Sequence, residues 1–243
     1  KKLSILGDSI STYVDYCNNT SYNSTIGGNC VFYSPNRSDR PDLKDIAVTD
    51  TYWMQLIDEY DMELCVNNSS SGSRVIGMGN VSGSTRDQAY DTRACQLHND
   101  HTGEQPDIIS IYIGFNDHGA AAPQGRITTG SYEAVNFDTL ITVQDGKYVY
   151  ATPTTVAEGY AVMLHKIKTT YPNAKLLMMN IPHVAWQDKV AERGVELPKY
   201  NELIAKMAAH YGVTLVDLYS TEISGDSTSN RAAYALGDEI PPN

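Results

Sequence analysis

The chain has 243 residues, 41% of them hydrophobic, and carries a formal net charge of −11 at pH 7. This length and composition predict one globular domain, residues 1–243, that can bury its own core. The acidic charge argues against nucleic acid and anionic membrane surfaces as partners, because both select clustered lysine and arginine.

Five short apolar segments predict buried strands, at residues 2–6, 62–66, 107–113, 175–181 and 213–218. Near-continuous apolar runs of this length are typical of parallel strands that are covered on both faces. Helical patterns fall between them, at residues 50–60, 86–98, 154–173 and 197–212. The alternation predicts a layered α/β fold around a five-stranded parallel sheet.

One segment breaks this alternation. Residues 137–153 form two alternating runs around Asp145-Gly146, which is a strong signal for a β-hairpin. The segment follows the third predicted strand, so we expect an inserted hairpin that projects from the carboxyl edge of the sheet, where open α/β sheets bind ligands.

The first strand runs into the stretch "ILGDSISTY", residues 5–13. One interpretation is an ordinary strand-to-helix turn with Ser9 or Ser11 as the N-cap. The other is a serine nucleophile held at the end of a strand. The stretch alone does not decide between them.

Two more strand ends carry residues of interest. Gly72 lies in "NNSSSGSRV" after the second strand, and Asn116 lies in "GFNDHG" after the third. With the common strand order 2-1-3-4-5, these loops would flank Ser9. A serine hydroxyl attacking a carbonyl needs donors aimed at the resulting oxyanion, and a glycine N–H and an asparagine amide can supply them. An Asx turn is the ordinary alternative for Asn116.

Gly7-Asp8-Ser9, Gly72 in its serine-rich loop and Gly114-x-Asn116-Asp117 together resemble the first three blocks of the SGNH (GDSL-type) esterase and lipase family. The resemblance covers essentially the whole chain. It implies a flavodoxin-like three-layer α/β/α sandwich and a serine esterase without cofactor or metal. It also implies Ser9 as nucleophile, with an oxyanion hole of Ser9 N–H, Gly72 N–H and the Asn116 amide. Asp8 and Asp117 are expected to bind loop amides.

The sequence departs from the family pattern in the last block, Asp-x-x-His, whose histidine is the general base. In "DEIPPN" Asp238 matches, but Pro241 occupies the histidine position, and the family's closing helix is expected to be absent. Three explanations stay open: a variant or misassigned end, another base such as His118 or His183, or a module that only binds its ligand. The last is the alternative function.

The acidic composition and loop tyrosines favour a small acyl ester substrate, such as an acetylated carbohydrate, over a lipid interface. A flavodoxin-like phosphate or flavin binder that uses "GDSIST" as its anion loop is a further alternative.

The four cysteines show no zinc-finger spacing; Cys65 and Cys95 are expected to be buried thiols. Cys17 and Cys30 can pair in an oxidising compartment, and we favour a secreted or periplasmic over a cytoplasmic protein.

Overall fold

The computed structural model describes residues 1–17, 22–23, 28–29, 31–34, 45–76, 88–119, 128–182 and 195–221. None of the helices found there is long and apolar enough to span a bilayer.

The strands, in chain order, are β1 (Lys2–Gly7), β2 (Tyr22–Asn23), β3 (Gly28–Asn29), β4 (Glu63–Ser69), β5 (Ile108–Tyr112), β6 (Ile141–Gln144), β7 (Lys147–Tyr150), β8 (Lys175–Met179) and β9 (Thr214–Val216). The α-helices are α1 (Tyr52–Glu59), α2 (Phe115–Gly119), α3 (Phe137–Leu140), α4 (Val156–Thr170) and α5 (Leu197–Tyr211). Short 3-10 helices cover Ser9–Ser11, Val48–Asp50, Thr92–Cys95 and Tyr132–Ala134.

The central sheet has five parallel strands in the order β4-β1-β5-β8-β9. Numbered by their own sequence order, these strands follow the predicted arrangement 2-1-3-4-5. The fold is therefore the expected flavodoxin-like α/β type. In this order β1 lies between β4 and β5, and the loops that follow these three strands leave from the same edge.

Successive side chains of a strand point to opposite faces of the sheet, and this divides the core into two parts. Leu3 and Ile5 of β1 pack with Trp53 and Ile57 of α1 on one face of the sheet. Leu6 faces the other side, where α4 and α5 supply the larger apolar cluster. The two-residue period of a strand thus gives each face its own helical layer.

Capping residues mark the starts of α1 and α4 and the end of α5. The Thr51 side chain accepts a hydrogen bond from the N–H of Met54 at the start of α1. Thr155 and Glu158 form a capping box at the start of α4. Helix α5 ends at Gly212, which adopts the left-handed conformation at φ +63°.

The hairpin exists, but its expected position is wrong. Strands β6 and β7 pair antiparallel around Asp145-Gly146, as predicted. However, the Tyr150 hydroxyl lies 3.0 Å from Nδ1 of His165, and the Tyr148 ring packs against the same imidazole. His165 lies in the half of α4 that leads to the amino end of β8, so the hairpin covers the side of the helical layer rather than the carboxyl edge.

The predicted helix at residues 86–98 is also wrong in its described part, which contains only the 3-10 turn Thr92–Cys95. The backbone N–H groups of Ala89 and Tyr90 donate to the carbonyls of Arg74 and Val75, at 2.8 and 3.0 Å. These bonds to a distant loop take the place of helical ones.

Candidate active site

The carboxyl ends of the three neighbouring strands lie at one level. Gly7 of β1 stands opposite Ser69 of β4 on one side and Tyr112 of β5 on the other. The chain segments that carry Ser9, Gly72 and Asn116 therefore leave the sheet side by side. The structure brings together the three strand ends that the sequence singled out.

Ser9 begins a single 3-10 turn directly after β1. The cap of this turn is Asp8, whose carboxylate accepts a hydrogen bond from the N–H of Ile10 at 3.1 Å, so neither serine is the N-cap. Ser11 is fully buried, and its carbonyl accepts from the Trp53 indole at 3.1 Å. Ser9 is only half-buried. Of the two serines, Ser9 is thus the one that the turn leaves accessible.

Asp8 is a buried carboxyl group beneath this turn, with 1% of its surface exposed. Burial raises its pKa to about 7; the Ile10 N–H opposes this shift, the charge of Asp117 adds to it, and Arg93 lowers the pKa again. Because the Ile10 N–H is already bonded to Asp8, it is not available to a phosphate. This arrangement argues against an anion loop at "GDSIST".

Gly72 needs to be glycine for its backbone conformation. Its φ is +76°, and a Cβ built there would meet nothing within 4 Å. Strand β4 continues further than predicted, to Ser69, because the side chains of two asparagines are bonded inside: Asn67 donates to the Ser11 carbonyl at 2.8 Å and Asn68 to the Gln96 carbonyl at 3.0 Å. The Gly72 turn therefore starts at the strand end itself.

Asn116 lies on the short helix α2 and reaches across to the Gly72 loop. Its Nδ2 donates to the carbonyl of Ser73 at 3.0 Å. In the reverse direction, Nε of Arg74 donates to the Asn116 carbonyl at 3.3 Å. Asp117 accepts from the N–H of Val75 at 2.8 Å. The Asn116 side chain thus holds a neighbouring loop, and the expectation that Asp8 and Asp117 bind loop amides is confirmed.

Gly114 sets the start of α2 by close packing. Its φ is +118°, and a Cβ there would lie 2.0 Å from the hydroxyl of Tyr160. This hydroxyl donates to the carbonyl of Ile113 at 2.9 Å. A buried tyrosine of α4 therefore fixes the backbone two residues before Asn116.

The candidate bases are placed less favourably. His118 is fully buried, its Nε2 donates to the Val195 carbonyl at 3.1 Å, and its ring packs on Tyr200 at a centroid distance of 5.1 Å. It belongs to the core between α2 and α5 and does not face the rim of the site. His183, Asp238 and Pro241 lie outside the described residues.

Sequence reasoning missed Arg93, a cation with 6% of its surface exposed that lies beneath the loops. One guanidinium nitrogen donates to the carbonyl of Gly7 at 2.8 Å, and further bonds reach Asn68 and the hydroxyl of Ser73. No short motif marks this residue, because its partners come from distant parts of the chain.

Within the described ranges, no group of three or more His, Cys, Asp or Glu side chains is arranged to hold a metal ion. Cys17 is buried, and its sulfur accepts from the N–H of Tyr13 at 3.3 Å. Cys30 lies outside the described residues, so its pairing with Cys17 stays a prediction. Cys65 is buried as expected, whereas Cys95 is only half-buried.

Comparison with known proteins gives a consistent result. A protein described as a GDSL-like lipase from Bacteroides ovatus is 22% identical, with a TM-score of 0.59 over 96% of this chain and 95% of its own. A second from Bacteroides uniformis is also 22% identical, with a TM-score of 0.59 over 99% and 96%. An acetyl xylan esterase from Geobacillus stearothermophilus is 17% identical, with a TM-score of 0.50 over 100% and 87%.

At these identities the solved structures establish the fold. A search of curated proteins found no match. The sequence model of GDSL-like lipases and acylhydrolases, however, matches residues 1–230, nearly the whole length. The blocks Gly7-Asp8-Ser9, Gly72 and Asn116 also lie at neighbouring strand ends, as their family order requires. The chain therefore belongs to the GDSL-like lipase/acylhydrolase family.

Proposed function

We propose that the protein is a serine esterase that hydrolyses small acyl esters, with Ser9 as its nucleophile. The observation that carries this proposal is the 3.0 Å hydrogen bond from Nδ2 of Asn116 to the carbonyl of Ser73. It fixes the Asn116 amide beside the Gly72 loop, next to the turn that presents Ser9. An amide carries two N–H groups, so the second can serve a ligand.

In the proposed reaction, Ser9 Oγ attacks the ester carbonyl carbon and gives its proton to a base. The C=O electron pair moves onto oxygen, and the N–H groups of Ser9 and Gly72 and the Asn116 amide stabilise this oxyanion. Collapse of the intermediate breaks the bond to the alcohol, which leaves with the proton. Water then attacks the acyl-serine by the same path and regenerates Ser9.

The histidine that serves as general base in the family motif is replaced here by Pro241. Because His118 is buried against Tyr200 with its Nε2 bonded to a carbonyl, it is a poor candidate. Of the two histidines considered, His183 is favoured. Asp238 would orient a histidine at position 241 if that residue were not proline.

We further propose an acetylated carbohydrate as the substrate class. Support comes from the acidic composition, from exposed tyrosine rings such as Tyr16 that can stack on sugar faces, and from an acetyl xylan esterase among the fold neighbours. An acidic surface is unsuited to an anionic lipid interface.

Labelling with a fluorophosphonate, together with hydrolysis of p-nitrophenyl acetate, tests the nucleophile. Ser9→Ala should remove both labelling and turnover. Ser71→Ala, a half-buried serine in the neighbouring loop, is the matched control and should keep both. If Ser9→Ala hydrolyses the ester at the full rate, the assignment is wrong.

The oxyanion hole has its own test. Asn116→Ala should lower kcat by roughly 100- to 1,000-fold, about 3 kcal/mol, with KM nearly unchanged, because the donor acts mainly on the transition state. A thermal melt checks that the variant is folded. A change confined to KM would make Asn116 a substrate-binding residue instead.

One observation favours a second candidate, a module that binds an acylated carbohydrate without hydrolysing it: Pro241 stands where the family has its histidine. This candidate predicts no fluorophosphonate labelling and background turnover, with retained binding of an acetylated xylo-oligosaccharide in calorimetry. Labelling of Ser9 would contradict it.

A further inference from the structure

Arg93 lies between two of the loops that form the proposed site. It is almost completely buried, and its fork of donors reaches the end of β1, the end of β4 and the loop that follows β4. On β1 the acceptor is the carbonyl of Gly7, at 2.8 Å, which belongs to the peptide bond just before Asp8. Ser9 is the next residue along the chain.

On the other side, Arg93 donates to the carbonyl and the side-chain oxygen of Asn68 and to the hydroxyl of Ser73. Ser73 directly follows Gly72, and its carbonyl accepts from Asn116. A continuous set of hydrogen bonds therefore runs from Gly7 through Arg93 and Ser73 to Asn116. The Ser73 acceptor lies next to Gly72 of the proposed oxyanion hole. The Gly7 and Asn68 acceptors lie at the ends of the strands that lead to Ser9 and Gly72.

Net stabilisation is a weak explanation for this arrangement. Removing a guanidinium from water costs several kcal/mol, and apolar side chains of similar volume often give equal or greater stability. What an apolar residue cannot supply is a rigid, planar fork that holds several acceptors at fixed distances. The two segments that Arg93 holds in this way are the Ser9 turn and the Gly72 loop.

We propose that Arg93 is a positioning residue, whose guanidinium fixes the Ser9 turn relative to the Gly72 loop so that nucleophile and oxyanion donors are held at the correct spacing. Its effect on turnover rests on the esterase function proposed above. Arg93 acts through backbone and hydroxyl groups and does not touch the substrate. A displacement of about 1 Å at such a site can lower a rate by about 100-fold.

Two substitutions test the proposal. Arg93→Lys keeps the charge but loses the fork, and Arg93→Met keeps the volume but loses both. We expect kcat to fall by about 10-fold in the first and about 100-fold in the second, with KM within about two-fold of the wild type. Because Arg93→Met can fail to fold, Arg93→Lys is the decisive variant.

The matched control is Tyr171→Phe. The Tyr171 hydroxyl donates to the carbonyl of Cys95 at 2.7 Å and accepts from the N–H of Leu97 at 2.6 Å. The variant therefore removes two hydrogen bonds, two and four residues after Arg93, and leaves the guanidinium and its acceptors in place. It should lower the melting temperature and leave kcat unchanged, which separates a positioning effect from general destabilisation.

Hydrogen exchange by mass spectrometry tests the positioning without any activity. Peptides spanning residues 5–13 and 69–76 should exchange about 10-fold faster in Arg93→Lys and at the wild-type rate in Tyr171→Phe. If the wild type shows neither turnover nor fluorophosphonate labelling, the esterase proposal fails, while faster exchange still supports the positioning role. The positioning role is overturned if both peptides exchange at the wild-type rate in Arg93→Lys. It is also overturned if Tyr171→Phe changes kcat and peptide exchange as much as Arg93→Lys does.

Discussion

Replacing Asp8 by asparagine should change how the stability of the protein depends on pH. Asp8 is 1% exposed, and burial raises the pKa of its carboxyl group from 3.8 to about 7. Asparagine has nearly the same shape and keeps an oxygen that can accept the Ile10 N–H, bonded to Asp8 at 3.1 Å. The substitution therefore removes the titration while retaining the turn.

The sign of the effect follows from the raised pKa. The folded protein holds the Asp8 proton more tightly than the unfolded chain, so this proton stabilises the fold fully below about pH 4. That stabilisation is lost as the pH rises through about 7. One pKa unit corresponds to about 1.36 kcal/mol, so the shift amounts to about 4 kcal/mol in total. Most of this is lost between pH 5 and pH 8.

Urea denaturation at several values between about pH 5 and pH 8 measures the effect. The free energy of unfolding of Asp8→Asn, relative to the wild type, should rise by about 3 kcal/mol over this range. Asp58→Asn, which changes an exposed carboxylate on α1, is the matched control for the loss of one charge. A constant difference between Asp8→Asn and the wild type across the range would refute the reasoning.

Three further substitutions test two glycines with positive φ and the position of the missing base. Gly72→Ala should cost about 1 kcal/mol of stability and also lower kcat, whereas Gly103→Ala, at a similar φ of +75° far from the site, should have only the first effect in urea denaturation and ester assays. Gly114→Ala should destabilise the fold by at least about 2 kcal/mol, since its Cβ would lie 2.0 Å from a buried hydroxyl; an unchanged urea midpoint would contradict this. If the base is missing, the chain should hydrolyse p-nitrophenyl acetate very slowly, and Pro241→His should raise the rate by several orders of magnitude with a pH profile rising through about 6 to 7. Substantial turnover of the unmodified chain that disappears in His183→Ala would contradict the missing-base explanation.

Much of the fold could be predicted because its signals are local. The runs at residues 2–6, 107–113 and 175–181 coincide with β1, β5 and β8 to within two residues. The helices predicted at residues 50–60, 154–173 and 197–212 likewise contain α1, α4 and α5. A buried strand and a capped helix are both specified by neighbouring residues, so a single sequence suffices to find them.

The two wrong predictions, the position of the hairpin and the helix at residues 86–98, depend on contacts between residues that are distant in sequence. Turn chemistry at Asp145-Gly146 specifies a hairpin but not where it packs, and the contact with His165 on α4 places it away from the carboxyl edge. In residues 86–98 an apolar pattern resembles a helix. The backbone N–H groups of Ala89 and Tyr90 instead donate to carbonyls of the loop after β4. Because these donors are satisfied by the loop, the segment does not need helical hydrogen bonds.

The candidate site shows the same division between local and distant signals. Ser9, Gly72 and Asn116 each follow a strand within a short recognisable block, and the strand order then places the blocks side by side. Arg93 carries no such signal, since its acceptors lie on β1 and in the stretch from the end of β4 to Ser73, both distant from it in sequence. The network that supports a site is therefore harder to predict than the groups at its surface.

Asp8 and Arg93 are better explained by geometry than by stability. Each is a buried ionisable side chain beneath the carboxyl edge, where apolar side chains of similar volume often give an equally or more stable fold. Asp8 fixes the first N–H after Ser9, and Arg93 fixes the carbonyl two residues before it. Both ends of the Ser9 turn are thus held from below by polar groups, which leaves the Ser9 side chain on the accessible side. Buried ionisable groups that constrain a single turn in this way are expected at a functional site rather than in a purely structural core.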